Sequence, residues 1–113
     1  VREDRLRLLD ILEAIDRIEQ YASQGQADFD HQELVQVWMI HHLQIIGEAA
    51  ASLSNSFCLQ YPEIPWAQIV AMRNILVHEY FGVDLNEIWR AVVQDLPVLK
   101  LQVQSVLAQL GED

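Results

Sequence analysis

The stretch Val37-Trp38-Met39-Ile40-His41-His42-Leu43-Gln44-Ile45-Ile46-Gly47-Glu48-Ala49-Ala50 decides how this chain folds. Its apolar residues, continued at Leu53, cover more than half the circumference of a helix, too much for an element that faces solvent along one whole side. Such a helix needs neighbours on several sides and is the expected centre of a bundle. A start signal precedes it: Asp30 as N-cap, Glu33 completing a capping box, and Phe29 with Leu34 as a hydrophobic staple. Gly47 costs about 1 kcal/mol of helix propensity against alanine, so its presence points to a close approach by a neighbouring helix.

Working outward, Glu3 to Tyr21 places Leu8, Ile11, Leu12, Ile15 and Ile18 at the three-and-four spacing of one helix face, with Ala22 continuing it. Ser23 to Asp30 reads as a loop and Asn55 to Pro65 as a connector. Pro65 suits the start of a third helix, from Trp66 to about His78, with Phe81-Gly82 as its stop. Asp84 repeats the start signal, with Glu87 in the capping box and Val83 stapled to Ile88. The fourth helix runs through Leu85, Ile88, Trp89, Val92, Val93 and Leu96. Pro97 removes a hydrogen bond to Val93 and is expected to kink or divide it. A last segment from Leu99 to Leu110 ends at Gly111 as C-cap. No strand pattern or repeat is present. The expected fold is all-α, an antiparallel up-and-down bundle of four to five helices in one domain over residues 1–113.

The chain has 113 residues, 51% hydrophobic and 21% charged, which is globular composition. A single cysteine, Cys58, allows no internal disulfide and no cysteine-based zinc site. No apolar run is long enough to span a bilayer and Val1-Arg2-Glu3-Asp4-Arg5 is no signal peptide, so a soluble, cytoplasmic protein with no membrane partner is expected. The net charge of -10 argues against general coating of nucleic acid, because an acidic surface repels phosphates. Four of the seven Lys and Arg residues lie at Arg2, Arg5, Arg7 and Arg17; Arg73 is the next, alone in an apolar segment.

That segment, Ala71-Met72-Arg73-Asn74-Ile75-Leu76-Val77-His78-Glu79-Tyr80-Phe81-Gly82, carries the candidate chemistry. Arg73 and Tyr80, seven apart, share a face if the helix continues, and Asn74 and His78, four apart, form a second pair. An imidazole with an ordinary pKa of about 6.5 suits general-base work near neutrality. A guanidinium stays charged and grips phosphate oxygens at two points. Asn74 could hold the imidazole in one tautomer. Together these groups could cleave RNA without a metal: His78 takes the 2′-hydroxyl proton, the oxygen attacks phosphorus, and Arg73 stabilises the developing charge. The product is a cyclic phosphate.

Arg73-x4-His78-x-Tyr80 resembles the signature of the HepT-like toxins of the HEPN superfamily. Ile46-Gly47-Glu48-Ala49-Ala50, Ile64-Pro65-Trp66 and Tyr80-Phe81-Gly82-Val83-Asp84 extend the resemblance over nearly the whole chain. It implies an HEPN-like helical domain acting as a homodimeric ribonuclease toxin, with no cofactor and with the Arg and His of both subunits facing one cleft. It also implies a minimal nucleotidyltransferase antitoxin that silences the toxin by transferring AMP to the motif tyrosine. By that resemblance Arg73 and His78 are catalytic, Asn74 is the supporting polar position, and Tyr80 is the AMP acceptor. The alternative function is a non-catalytic helical binding subunit of a nucleotidyltransferase, and the acidic balance favours it if that partner is basic.

Plainer roles stand beside these. His78 could cap carbonyls, and Arg73 could pair with Glu48 or Glu79. Glu48 either anchors Arg73 or Asn74 in a supporting role or faces solvent. His41-His42 resembles a metal pair, but adjacent helical residues point about 100° apart, which favours packing or surface roles. His31, placed in the first turn of the second helix, is expected to be solvated. Trp38, Trp66 and Trp89 read as core or interface aromatics, and Cys58 as an inert packed thiol.

Overall fold

A computed structural model describes residues 2–78 and 82–111, with the side chain of Arg2 outside that description. Its long helices are α1 (Arg2–Ala22), α3 (Glu33–Ala51), α5 (Trp66–His78) and α7 (Leu96–Leu110). Shorter ones, α2 (Gln26–His31), α4 (Asn55–Gln60) and α6 (Leu85–Arg90), occupy the connections, and no strand occurs among the described residues. The domain is a helical bundle, as the sequence pattern predicts.

The apolar stripe of α1 is mostly buried, with Leu12 and Ala22 half-buried at its edges. Leu8, Ile11, Ile15 and Ile18 have no exposed surface, and they meet Val35, Met39, Leu43 and Ile46 of α3 in one continuous core. Each such side chain contributes about 1.5–3 kcal/mol when it leaves water. Helix α3 is indeed central: it packs along α1 on one side and α5 on the other, and touches α2 and α6. Helix α7 closes the bundle against α1 through Leu99, Val103 and Val106. Lys100 bridges the same pair of helices, donating to Glu19 at 2.8 Å.

Several local expectations are corrected. Asp30 lies inside α2 and is not the N-cap of the central helix, which starts at Glu33 after an extended Gln32 with no side-chain cap. Its staple is absent too: Phe29 is 1% exposed against Trp89, whereas Leu34 is 84% exposed. Burial of Phe29 beneath α6 draws the supposed loop into a helical turn, entered through Gly25 at φ +98. A tertiary contact outweighs a local cap worth about 1 kcal/mol. His31 consequently ends α2 rather than opening the next helix, although it is exposed as expected.

The connector after Ser52 is likewise partly helical. Ser54 caps α4 by accepting from the Phe57 amide, and buried Asp4 accepts from both the amide and hydroxyl of Ser54 at 2.9 Å. Asp84 does cap α6, accepting from the Asn86 amide at 2.9 Å, but the Glu87 carboxylate pairs with Arg90 and leaves the capping box half made. Ahead of Pro97 the chain widens into a π-helical turn, Ala91–Asp95, in which the Leu96 amide donates to the Ala91 carbonyl five residues back. The proline cannot supply the N–H that Val93 would receive, so the helix is divided there. Gly111, at φ +68, ends α7 as expected.

Candidate active site

Gly47 sets the site. A methyl group at this position would overlap the Cβ of Arg73 and lie 2.7 Å from its Cγ, so α5 can reach α3 here only because residue 47 has no side chain. Arg73 is held against α3 at that crossing. Its terminal nitrogen pairs with Glu48 Oε1 at 3.0 Å, while its Nε donates to Asn74 Oδ1 at 2.9 Å. The Arg73 side chain is 22% exposed and that of Glu48 is 64% exposed, so the pair sits at the rim of the helix crossing. An ion pair so open to water adds little stability, about 0–1 kcal/mol; its consequence is to aim the guanidinium. Glu48 thus meets Arg73 and also faces solvent, so both readings of it describe the structure.

His78 is the last described residue of α5 and is exposed. None of the side-chain hydrogen bonds among the described residues involves it, and Asn74 turns its carbonyl to Arg73 rather than to the imidazole. Helical geometry explains the separation. Leu76 is buried, and His78 projects about 200° around from it. Ala67, Ala71, Asn74 and His78 fall on one outward stripe at i, i+4, i+7 and i+11, all exposed, with Ile75 beside them. Arg73 is thus clamped on the inner edge, His78 stands on the outer face, and Asn74 lies between. Tyr80, the expected modification site, lies outside the described residues, as do Glu79 and Phe81.

Gln44 is the residue that the sequence reading passed over. One turn before Glu48 and on the same flank of α3, it donates from Nε2 to the Leu76 carbonyl at 3.4 Å, in the last turn of α5. Its spacing from Gly47 and Glu48 was the available signal.

The remaining singled-out residues are structural. His42 is 8% exposed, stacks on Trp38, and hydrogen-bonds the Trp38 carbonyl through Nδ1 at 2.7 Å, which is the packing role expected of it. Trp66 is buried, and Trp38 and Trp89 are half-buried. Cys58 is half-buried within α4, and burial, with the negative charge of Asp4 second, pushes its thiol pKa up. An apolar groove of about 390 Å³ between α5 and α7, floored by Leu43 and Ile46, includes neither Arg73 nor His78. Among the described residues no helix is long and apolar enough to cross a membrane.

An all-helical domain that presents arginine, asparagine and histidine from one helix, backed by a glutamate on the next, is what fold and site define. The profile of the family described as "Ribonuclease HepT-like" matches residues 11–106, and the chain belongs to that family. Similar proteins carry matching names. "Probable ribonuclease HepT" of Thermococcus cleftensis is 43% identical over 94 residues, covering 82% of this chain and 86% of its own. "Putative RNase MJ1380" of Methanocaldococcus jannaschii is 36% identical over 110 residues, covering 93% and 97%. "Gamma-glutamylcyclotransferase and putative RNase MJ0434", from the same archaeon, is 36% identical across all of this chain, which spans 52% of that longer protein. No solved structure matches.

Proposed function

We propose that the protein is a metal-independent endoribonuclease toxin whose cleft is completed by two copies of the chain. The observation that carries this reading is the placement of Arg73 and His78 on different faces of α5, with Arg73 clamped by Glu48 and Asn74. One chain offers a phosphate-gripping cation and an imidazole that point apart. A second chain packed on the outward stripe of Ala67, Ala71 and Ile75 brings the two sets to a common groove. Because α5 rests on α3 alone among the larger contacts, that stripe has no partner within the described residues.

In the reaction, His78 removes the proton of a ribose 2′-hydroxyl and the oxygen attacks the adjacent phosphorus. The bond to the 5′-oxygen breaks, and the departing oxygen receives a proton from an imidazolium, giving a 2′,3′-cyclic phosphate and a 5′-hydroxyl. Arg73 binds the non-bridging oxygens and stabilises the charge that accumulates on them. Arg7, Arg17, Arg90 and Lys100 are each engaged by a carboxylate of their own surface, which fits selective cleavage at one cleft rather than broad adhesion to RNA. Silencing would come from a nucleotidyltransferase antitoxin: the Tyr80 oxygen attacks the α-phosphorus of a nucleoside triphosphate, pyrophosphate leaves, and an AMP group fills the cleft.

The test is incubation of the protein and its His78→Ala form with total RNA in EDTA, followed by analysis of the ends. Cleavage by the wild type alone, with cyclic phosphates and a loss of about 10²–10⁴-fold in the variant, is expected. Equal cleavage by both overturns the role of His78. No cleavage by either, together with AMP transfer to Tyr80, gives the protein the second role, a binding subunit for its nucleotidyltransferase.

A further inference from the structure

We propose that Gln44 is a positioning residue for His78. In the last described turn of α5 the Leu76 carbonyl accepts from the side-chain amide of Gln44, which belongs to a different helix, at 3.4 Å. That bond ties the rotation of the last turn of α5 to α3. Arg73 is fixed to the same face of α3 a turn earlier, through the missing side chain of Gly47 and the carboxylate of Glu48. Positions 44, 47 and 48 lie on one flank of α3, so a single rigid helix sets both the cation and the turn that carries the base. The ring of His78 has no hydrogen bond among the described residues to orient it, and its direction follows from the backbone beneath it. The inference concerns the geometry of the ribonuclease site and rests on that reading for its kinetic consequence.

The experiment compares Gln44→Met, which keeps the side-chain length but cannot donate, with Gln44→Lys, which retains a donor. In Gln44→Met the amides of residues 75–78 exchange hydrogen about tenfold faster than in wild type, and those of α1 are unchanged. With RNA, kcat falls about tenfold at nearly constant KM, because the phosphate grip of Arg73 remains while the base is misaimed. Gln44→Lys restores both to within about threefold of wild type. Wild-type exchange in Gln44→Met overturns the proposal, as does a loss expressed in KM alone. Loss of protection throughout the protein, unrescued by lysine, also overturns it, since Gln44 would then be a general stabilising residue. A wild type that leaves RNA intact counts against the ribonuclease reading instead, and the exchange rates still decide whether Gln44 sets the turn.

Discussion

Helices α1 and α5 flank the same central helix and bury very different shares of their apolar residues. In α1 the centre of the hydrophobic stripe is sealed from water at Leu8, Ile11, Ile15 and Ile18, with Leu12 half-buried at its edge and Leu6 and Leu9 exposed on the other side. In α5 apolar residues surround the helix, yet only Trp66 and Leu76 are buried, while Ile75 and Val77 remain about half exposed. The first helix spends most of its hydrophobicity on folding and leaves Leu6 and Leu9 outside the core. The second has more than the chain itself covers, and the surplus lies beside the polar groups of the site. That surplus is the surface on which the proposed second copy would pack.

Substitutions can break or sharpen this contrast. The largest effect is expected in α1: Ile15→Ala lowers the unfolding free energy by about 2–5 kcal/mol in denaturant titration. A loss under 1 kcal/mol would mean that the α1 side is no better sealed than the α5 side. Gly47→Ala comes next. Its methyl group must push α5 outward at Arg73, costing about 1–3 kcal/mol despite the better helix propensity of alanine, and RNA cleavage declines with it. An unchanged melting temperature would show that the crossing has room to relax. Ile75→Ser, on the outer face, leaves unfolding within about 0.5 kcal/mol of wild type but weakens self-association in sedimentation experiments. Large destabilisation there would place Ile75 in the chain's own core. The smallest effect concerns Cys58, whose raised pKa lowers its thiolate fraction below that of a free cysteine at pH 8. Its alkylation rate therefore rises with pH through an inflection above the ordinary thiol value. The same shift makes the folded state lose stability as pH climbs past the unfolded thiol's pKa.

The same contrast separates what was legible in the sequence from what was not. The α1 stripe, the centrality of α3, the start at Asp84, the division at Pro97 and the close approach at Gly47 follow from spacing and from the stereochemistry of proline and glycine. The false cap at Asp30 shows the limit of local reading: Phe29 finds Trp89, sixty residues later in the chain, and that contact reorganises the turn. Within the site, helical spacing put Arg73 and His78 in different pairs on α5, and of the two carboxylates offered to Arg73 as plain partners, Glu48 is the one it meets among the described residues. Gln44 stayed hidden because its partner is a backbone carbonyl, and backbone groups leave no mark in a sequence pattern.

The seam between α1 and α7 also orders events during synthesis. Arg5 donates to the carbonyl of Gly111 at 2.6 Å, and Lys100 reaches back to Glu19. When α5 leaves the ribosome, α1 and α3 can already pair and Gly47 can receive Arg73, but the outer side of α1 waits for residues almost a hundred positions downstream. The part of the molecule that bears the reactive side chains is therefore translated before the part that locks the bundle. Final closure is a late, long-range event, the kind that sets the pace of folding.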